Sequence, residues 1–367
     1  MKNERKRILE MVKKGEVSIE EAEKLLDELE ELESRQKEKQ ASIDHRLPVF
    51  EQWESKDGGN KKGGTSGRRK TLKDTLFGLF EDALDKIKDF EFDSQHSVAV
   101  SHVYQQNDSS FNGILIEIPN GSVTLHAWDH TDVRIELDGK VYRTEDPVEG
   151  KEKFLNNIEF KIDDGKFSFS SKEKFMKTDA KIYVPEKKYE KIDIKLFNGP
   201  VTAEGIKAEK MDVKTANGQI RLIRTECGKA EAETGNGSIQ ITESQCKKLE
   251  AETLNGKVTV DGQYEKTEIQ TFSGTITVYL DGGDAKTIRL SSGTGNIFVY
   301  ADRKLPLSGE MKSNLGTVQL NLDHVRKVEE TKEALQKTIY FDTSDELKGK
   351  TYLFAGSKTG MITVKNK

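Results

Sequence analysis

Apolar and polar positions alternate through the second half of this chain in a unit that returns about every 19 residues, a period typical of repeat architectures. Each copy is punctuated by a small polar residue and a glycine: Asn198-Gly199, Asn217-Gly218, Asn236-Gly237, Asn255-Gly256, then Ser273-Gly274 and Ser292-Gly293. Two residues after the first five glycines stand Val201, Ile220, Ile239, Val258 and Ile276, and two further on Ala203, Leu222, Ile241, Val260 and Val278. Five and seven residues before them the pattern is again apolar or small, as in Ile194 and Ile192 or Val213 and Met211. That is strand alternation with the same face apolar in every copy, on both sides of a corner.

Two structures satisfy this pattern. An Asn-Gly pair between strands is the favoured hairpin signal and would give a meander or sandwich. Alternatively, each unit is one coil of a β-solenoid, with like positions stacked at roughly 4.8 Å. The second is favoured because identity persists at turn positions where a meander has no use for it. The column three residues before the glycine runs Leu196, Thr215, Thr234, Thr253, Thr271, and stacked asparagines can bond as a ladder. The expected fold is mainly β: a single-stranded, β-helix-like solenoid of about 19-residue coils over residues 96–367, preceded by a small helical hairpin.

The amino-terminal third has a different rhythm. Residues 1–36 are expected to form the hairpin, with Ile8, Leu9 and Val12 on one helix, a break at Gly15, and a Ser18/Glu21 capping box for the next. Residues 37–70 are glycine-rich and basic, as in a flexible linker. Residues 71–92 then place Leu72, Leu76, Phe80, Leu84 and Ile87 on one face, widened by Phe77. Such a helix suits either an open solenoid end or a membrane surface, and its acidic polar face weighs against the latter. Residues 96–185 show less regular strands. Gly316 and Gly360 mark looser coils, with a short helix expected over 328–338.

Composition and charge narrow the functions. Hydrophobic and charged residues each make up 34% of the 367-residue chain, which suits a thin core better than one compact globule. A net charge of −5 argues against nucleic acid as a partner. The start of the chain shows no secretory signal and no bilayer-spanning run, so the expected location is the cytoplasm, with peripheral membrane contact and non-classical surface exposure left open. Cys227 and Cys246 lie one repeat apart, and core packing explains them better than redox pairing or metal. His126, His130 and Asp132 share strand parity but are held apart by Trp128, so no metal site is expected.

One column carries unexpected charge. Six residues before the glycines stand Asp193, Asp212, Glu231, Glu250 and Glu268, and beside them Lys195 and Lys214 give way to Glu233 and Glu252. Stacked like charges repel. The column is either a solvated edge or a strip for cations, with a cationic peptide or divalent ions as ligand. No nucleophile elbow, phosphate-binding loop or zinc-protease helix occurs, so neither catalysis nor a cofactor is expected.

Asn3-Glu4-Arg5, then Gly15 through Ala22 with Leu25-Leu26, resembles a SHOCT-like helical module, and units such as Val213 to Ile220 resemble the putative-adhesin β-strand repeat family. Together they resemble the YvlB/LiaX-like envelope-stress proteins of Gram-positive bacteria. That resemblance implies a non-enzymatic protein that senses or relays membrane damage by antimicrobial peptides, with a membrane-linked regulator, or itself, as partner. A self-assembling adhesin-like structure is the alternative, and a glycan-acting β-helix enzyme the third.

Overall fold

The structure, a computed structural model, describes residues 96–367 except 108–109, 174–175, 282–284, 333–335 and 345–349. The expected hairpin, the linker and the helix over 71–92, with Leu72, Leu76, Phe77, Phe80, Leu84 and Ile87, lie outside the described residues. Within them the chain is mainly β, with one helix.

In chain order the elements are β1 (Ser97–Gln106), β2 (Gly113–Trp128), β3 (Val133–Tyr142), α1 (Pro147–Asn156), β4 (Ile158–Asp163), β5 (Lys166–Ser171), β6 (Met176–Pro185), β7 (Lys188–Asn198) and β8 (Val201–Glu204). The regular repeats follow as β9 (Lys207–Asn217), β10 (Ile220–Ile223), β11 (Glu226–Asn236), β12 (Ile239–Asn255), β13 (Val258–Ser273), β14 (Ile276–Leu280), β15 (Thr287–Ser292) and β16 (Ile297–Ala301). The last are β17 (Leu307–Ser313), β18 (Val318–Asn321), β19 (Lys327–Lys332), β20 (Lys337–Asp342), β21 (Thr351–Ser357) and β22 (Ile362–Asn366).

Strands pair in parallel with the strand one repeat on, not antiparallel across the Asn-Gly corner. Val213 lies opposite Ile194 and Ala232, and Ile220 opposite Val201 and Ile239. Upstream halves thus form one ladder (β7, β9, β11, then the ends of β12 and β13, then β15) and downstream halves another (β8, β10, the starts of β12 and β13, β14, β16). A meander would require antiparallel neighbours. Inward residues of both ladders, such as Ile192, Val213, Ala232, Ile220 and Ile241, are fully buried in one continuous core.

Both ends depart from sequential order. At the front, β2 lies between β5–β6 on one side and β7–β8 on the other, although β5 and β6 follow it in sequence. At the back, β21 and β22 insert between β15–β16 and β17–β18. The strands that follow the expected marks at Gly316 and Gly360 are β18 and β22, and they stand in reversed spatial order. Antiparallel strands finish the ladders: β4 on β5, β3 on β6 and β1 on β3 at the front, then β20 on β17 and β19 on β20 at the back.

Two local expectations are corrected. The helix expected over 328–338 is replaced by β19, because β20 offers a hydrogen-bonding edge that outweighs the helical pattern of Val328-Glu329-Glu330. Conversely, α1 was not anticipated, although Asp146 accepts from the Val148 and Glu149 amides and Pro147 opens the first turn. The helix packs against β1 and β3; a Cβ on Gly150 would meet Val98 at 2.7 Å, and one on Gly139 would meet Phe154 at 2.1 Å.

Candidate functional site

The corner fixes the register of everything built on the ladders. Asn198 Nδ2 donates to Asn120 Oδ1 at 2.7 Å, and Asn217, Asn236 and Asn255 each donate to the preceding asparagine at 2.9 Å. Thr215, Thr234 and Thr253 donate through Oγ1 to the carbonyls of Gly199, Gly218 and Gly237 at 3.1, 2.9 and 3.0 Å. Each glycine presses on the one before: a Cβ on Gly218, Gly237 or Gly256 would sit 1.9 Å from the preceding glycine's oxygen. Close approach thus demands glycine here.

The stack corrects one assignment. Gly295, not Gly293, continues the column, since its Cβ would meet Gly274 O at 1.8 Å. Ser292 then takes the threonine role, donating to Gly274 O at 3.3 Å, as Ser357 and Ser313 do to Gly295 and Gly360 at 3.0 and 2.9 Å.

On the outward face of the upstream ladder, Asp193, Asp212, Glu231, Glu250 and Glu268 stand in register on neighbouring strands. Sequence reasoning missed what flanks them. Two residues earlier runs a lysine column, Lys191, Lys210, Lys229, Lys248 and Lys266, equally in register. A lysine eight residues before each glycine was the available signal. Lys191 pairs with Asp193 at 2.7 Å and Lys210 with Asp212 at 2.8 Å, while Lys229 bridges Glu231 and Glu250 at 3.0 and 2.7 Å. Lys248 also pairs with Glu250. Alternating signs hold the stacked carboxylates together where repulsion alone would splay them.

The balance changes along the face. Lys195 and Lys214 make the β7 and β9 units net basic, and Glu233 and Glu252 make the next two net acidic. Lys214 sits at this junction, 2.8 Å from Glu233 and 3.1 Å from Glu231. Burial alone would lower its pKa, but its bonds to Glu233 and Glu231 outweigh that and raise it. Glu233 is 6% exposed, and its second oxygen is buried with no partner among the described residues. Burial, then the neighbouring Glu231, pushes Glu233 up to about 7. Burial also opposes ionisation of Glu231, yet the neighbouring Glu233 and the bonds from Lys229 and Lys214 hold it below the usual carboxylate range. The two carboxylates act as a pair whose proton rests on Glu233.

Glu252 is pushed up to about 7 by burial first and by Glu233, Glu268, Glu250 and Glu231 after it. Glu268 accepts from Gln270 at 3.2 Å, and the next strand places Arg289 in its column, stacked 4.9 Å from the Phe354 ring. The candidate strip is therefore bounded, basic at one end, with its acidic side chains gathered at Glu231, Glu233, Glu250 and Glu252. Such an array can bind a complementary polyelectrolyte.

Elsewhere, His126, His130 and Asp132 are not brought to one strand face, because β2 ends at Trp128. His126 lies 3.3 Å from Glu204, His130 packs on Trp128 at 4.6 Å, and Asp132 accepts from Gln105 at 2.6 Å. No group of side chains suited to a metal occurs among the described residues. Cys227 and Cys246 face each other on adjacent strands, free and buried. A bond to Cys227, then burial, pushes the Cys246 thiol far up. No described helix is long and apolar enough to cross a membrane.

Comparison with known proteins bears on the family of the chain and not on the strip. The family profile named Toastrack DUF4097 matches residues 111–345, and a SHOCT-like domain profile matches residues 3–34. A Bacillus subtilis (strain 168) protein called "Uncharacterized protein YvlB" is 39% identical over 368 residues, covering 100% of this chain and 99% of the relative. Solved structures give looser overlaps. A "putative adhesin from Parabacteroides distasonis ATCC 8503" covers 73% of this chain and 97% of its own at 9% identity and TM-score 0.36. A "putative cell adhesion protein from Clostridium sporogenes ATCC 15579" covers 73% and 100% at 11% identity and TM-score 0.26. Overlaps this loose carry no argument about function.

Proposed function

The chain belongs to the toastrack DUF4097 family and is similar to YvlB along its whole length, and from that premise we propose that it is a non-enzymatic binding scaffold of the cell-envelope stress response. In this reading the two ladders wind as a β-solenoid of about 19-residue coils. The SHOCT-like module at residues 3–34 engages a membrane-linked regulator, and the acidic strip takes a cationic peptide of the kind that damages membranes. Its place of work is the cytoplasmic side of the membrane.

The observation that carries the binding half is the gathering of Glu231, Glu233, Glu250 and Glu252 beside a basic run on one rigid face. A cationic chain laid along the strip would meet carboxylates at the strand spacing of roughly 4.8 Å and relieve their mutual repulsion. The envelope half rests on the resemblance alone.

The test is fluorescence anisotropy of a labelled cationic amphipathic peptide with full-length protein, at two salt concentrations. Combined Glu231→Gln, Glu233→Gln, Glu250→Gln and Glu252→Gln substitutions should weaken binding at least about tenfold and flatten its salt dependence, with the melting temperature kept or raised. Equal affinity of wild type and the quadruple variant would sink the assignment.

A further inference from the structure

Among the described residues four strands end the ladders, and three are blunted in the ways that discourage pairing with another chain. Strand β18 has only four residues. Strand β19, Lys327-Val-Glu-Glu-Thr-Lys332, is charged at four of its six positions, and β4 alternates Glu159, Lys161 and Asp163. Strand β1 is the exception. It is ten residues long, Ser-Val-Ala-Val-Ser-His-Val-Tyr-Gln-Gln, with no Asp, Glu, Lys, Arg or Pro, and among the described residues it pairs only with β3.

Its edge away from β3, unpaired among the described residues, has a definite pattern. The Arg143 amide donates to His96 O at 2.8 Å, and this pair continues the β1–β3 register in which Ser97 faces Tyr142. Hydrogen-bonded and non-bonded pairs alternate in an antiparallel ladder. Even-numbered β1 residues therefore turn their amides and carbonyls toward β3. Ser97, Ala99, Ser101, Val103 and Gln105 turn theirs outward. Val98 and Val100 are buried beneath the sheet, while Val103 is 47% exposed on the other face.

We propose that β1 pairs antiparallel with β1 of a second copy of this chain, about a two-fold axis at Ser101, joining the two sheets into one. A second copy fits because the strand has no Asp, Glu, Lys or Arg and its His102 would face Val100, so no like charges are set directly opposite; β19 or β4 in the same position would bring charged side chains together. Centring on Ser101 engages all the outward-turned residues. It sets Ala99 opposite Val103 and Ser97 opposite Gln105 on one face, and Val98 opposite Tyr104 and Val100 opposite His102 on the other. These include the aromatic with β-branched pairing that stabilises antiparallel neighbours. The contact is isologous, so assembly closes at two copies, with the blunted strands left at the far ends. The proposal is independent of the acidic strip.

The test is sedimentation velocity of the full-length protein from about 1 to 100 μM, with cross-linking to fix the register. Dimer should form with rising concentration, and Val103→Pro should raise its dissociation constant at least about tenfold, because it removes an outward amide and leaves the β1–β3 bonds intact. Ser101→Cys should yield a disulfide-linked dimer under mild oxidation, since directly opposed residues lie about 5.5 Å apart at Cα. Ser97→Cys, far from its own mate, should not. An unchanged circular dichroism spectrum of Val103→Pro confirms that the variant is folded. A monomer throughout the range, or a dimer indifferent to Val103→Pro, overturns the proposal.

Discussion

At Gly237 three neighbours converge: a Cβ would meet Gly218 O at 1.9 Å and Thr234 Oγ1 at 3.2 Å, while the residue's own amide bonds to Asn255 O at 3.0 Å. No side chain can yield that space, since the obstructing atom is backbone. Gly237→Ala is expected to destabilise the fold by about 3 kcal/mol, read from denaturant midpoints. Gly165 is the contrast: its φ is +70°, but nothing lies within 4 Å of its Cβ, so Gly165→Ala should cost only about 1 kcal/mol. Equal costs at the two sites would show that the stack is not tight. The asparagine and threonine columns were legible in the sequence because each residue repeats for a local reason. Gly295 was not: Thr294 and Gly293 shift the spacing, and only the contact with Gly274 shows which glycine is in line.

At the scale of the element, the charged face is a property of strands in register and not of any one residue. Stacking puts Glu252 among four other carboxylates, and its raised pKa makes a statement about stability. The folded state holds its proton up to about pH 7, while in the unfolded chain the carboxyl titrates near its ordinary value of 4.5. Between those values the native state binds more protons, so this group's contribution to stability falls as pH rises, and the penalty is complete above about 7. Glu252→Gln should therefore stabilise the protein by about 2 kcal/mol at pH 8, with the gain vanishing below the unfolded-state value. Thermal melts of both proteins across pH 4 to 8 check this, and a gain that is independent of pH would contradict it. The acidic column was visible in the sequence. The lysine column beside it was equally visible, at Lys191, Lys210, Lys229, Lys248 and Lys266, and inverts the expectation of uncompensated repulsion.

At the largest scale, one continuous core joins the ladders of the described residues, and the cysteines report on its integrity. Cys227 and Cys246 are 9% and 5% exposed on neighbouring strands in the middle of the array. Their alkylation by a neutral maleimide should be slow in the native protein, and both should become reactive together at the global unfolding midpoint in guanidinium. Reaction well before that midpoint would show that the central strands open apart from the rest, as arrays of weakly coupled repeats can.

The sequence by itself determined the period, the inward face, the corner chemistry and the place of the carboxylates, because each follows from residue type at a fixed interval and needs only nearest neighbours. It also held the signals for α1 in Asp146 and Pro147. Only the tertiary structure decided the order at the ends. Whether β2 neighbours β5 or β7, and whether β21 lies inside or outside β17, depends on which surfaces bury each other across long sequence separations, and similar alternating strands satisfy either arrangement locally. The strand β19 was settled the same way: a hydrogen-bonding edge on β20 made a strand of Lys327–Lys332. So was the position of β1, whose lack of Asp, Glu, Lys and Arg is plain in the sequence but acquires meaning only when, among the described residues, it is the outermost strand of its ladder.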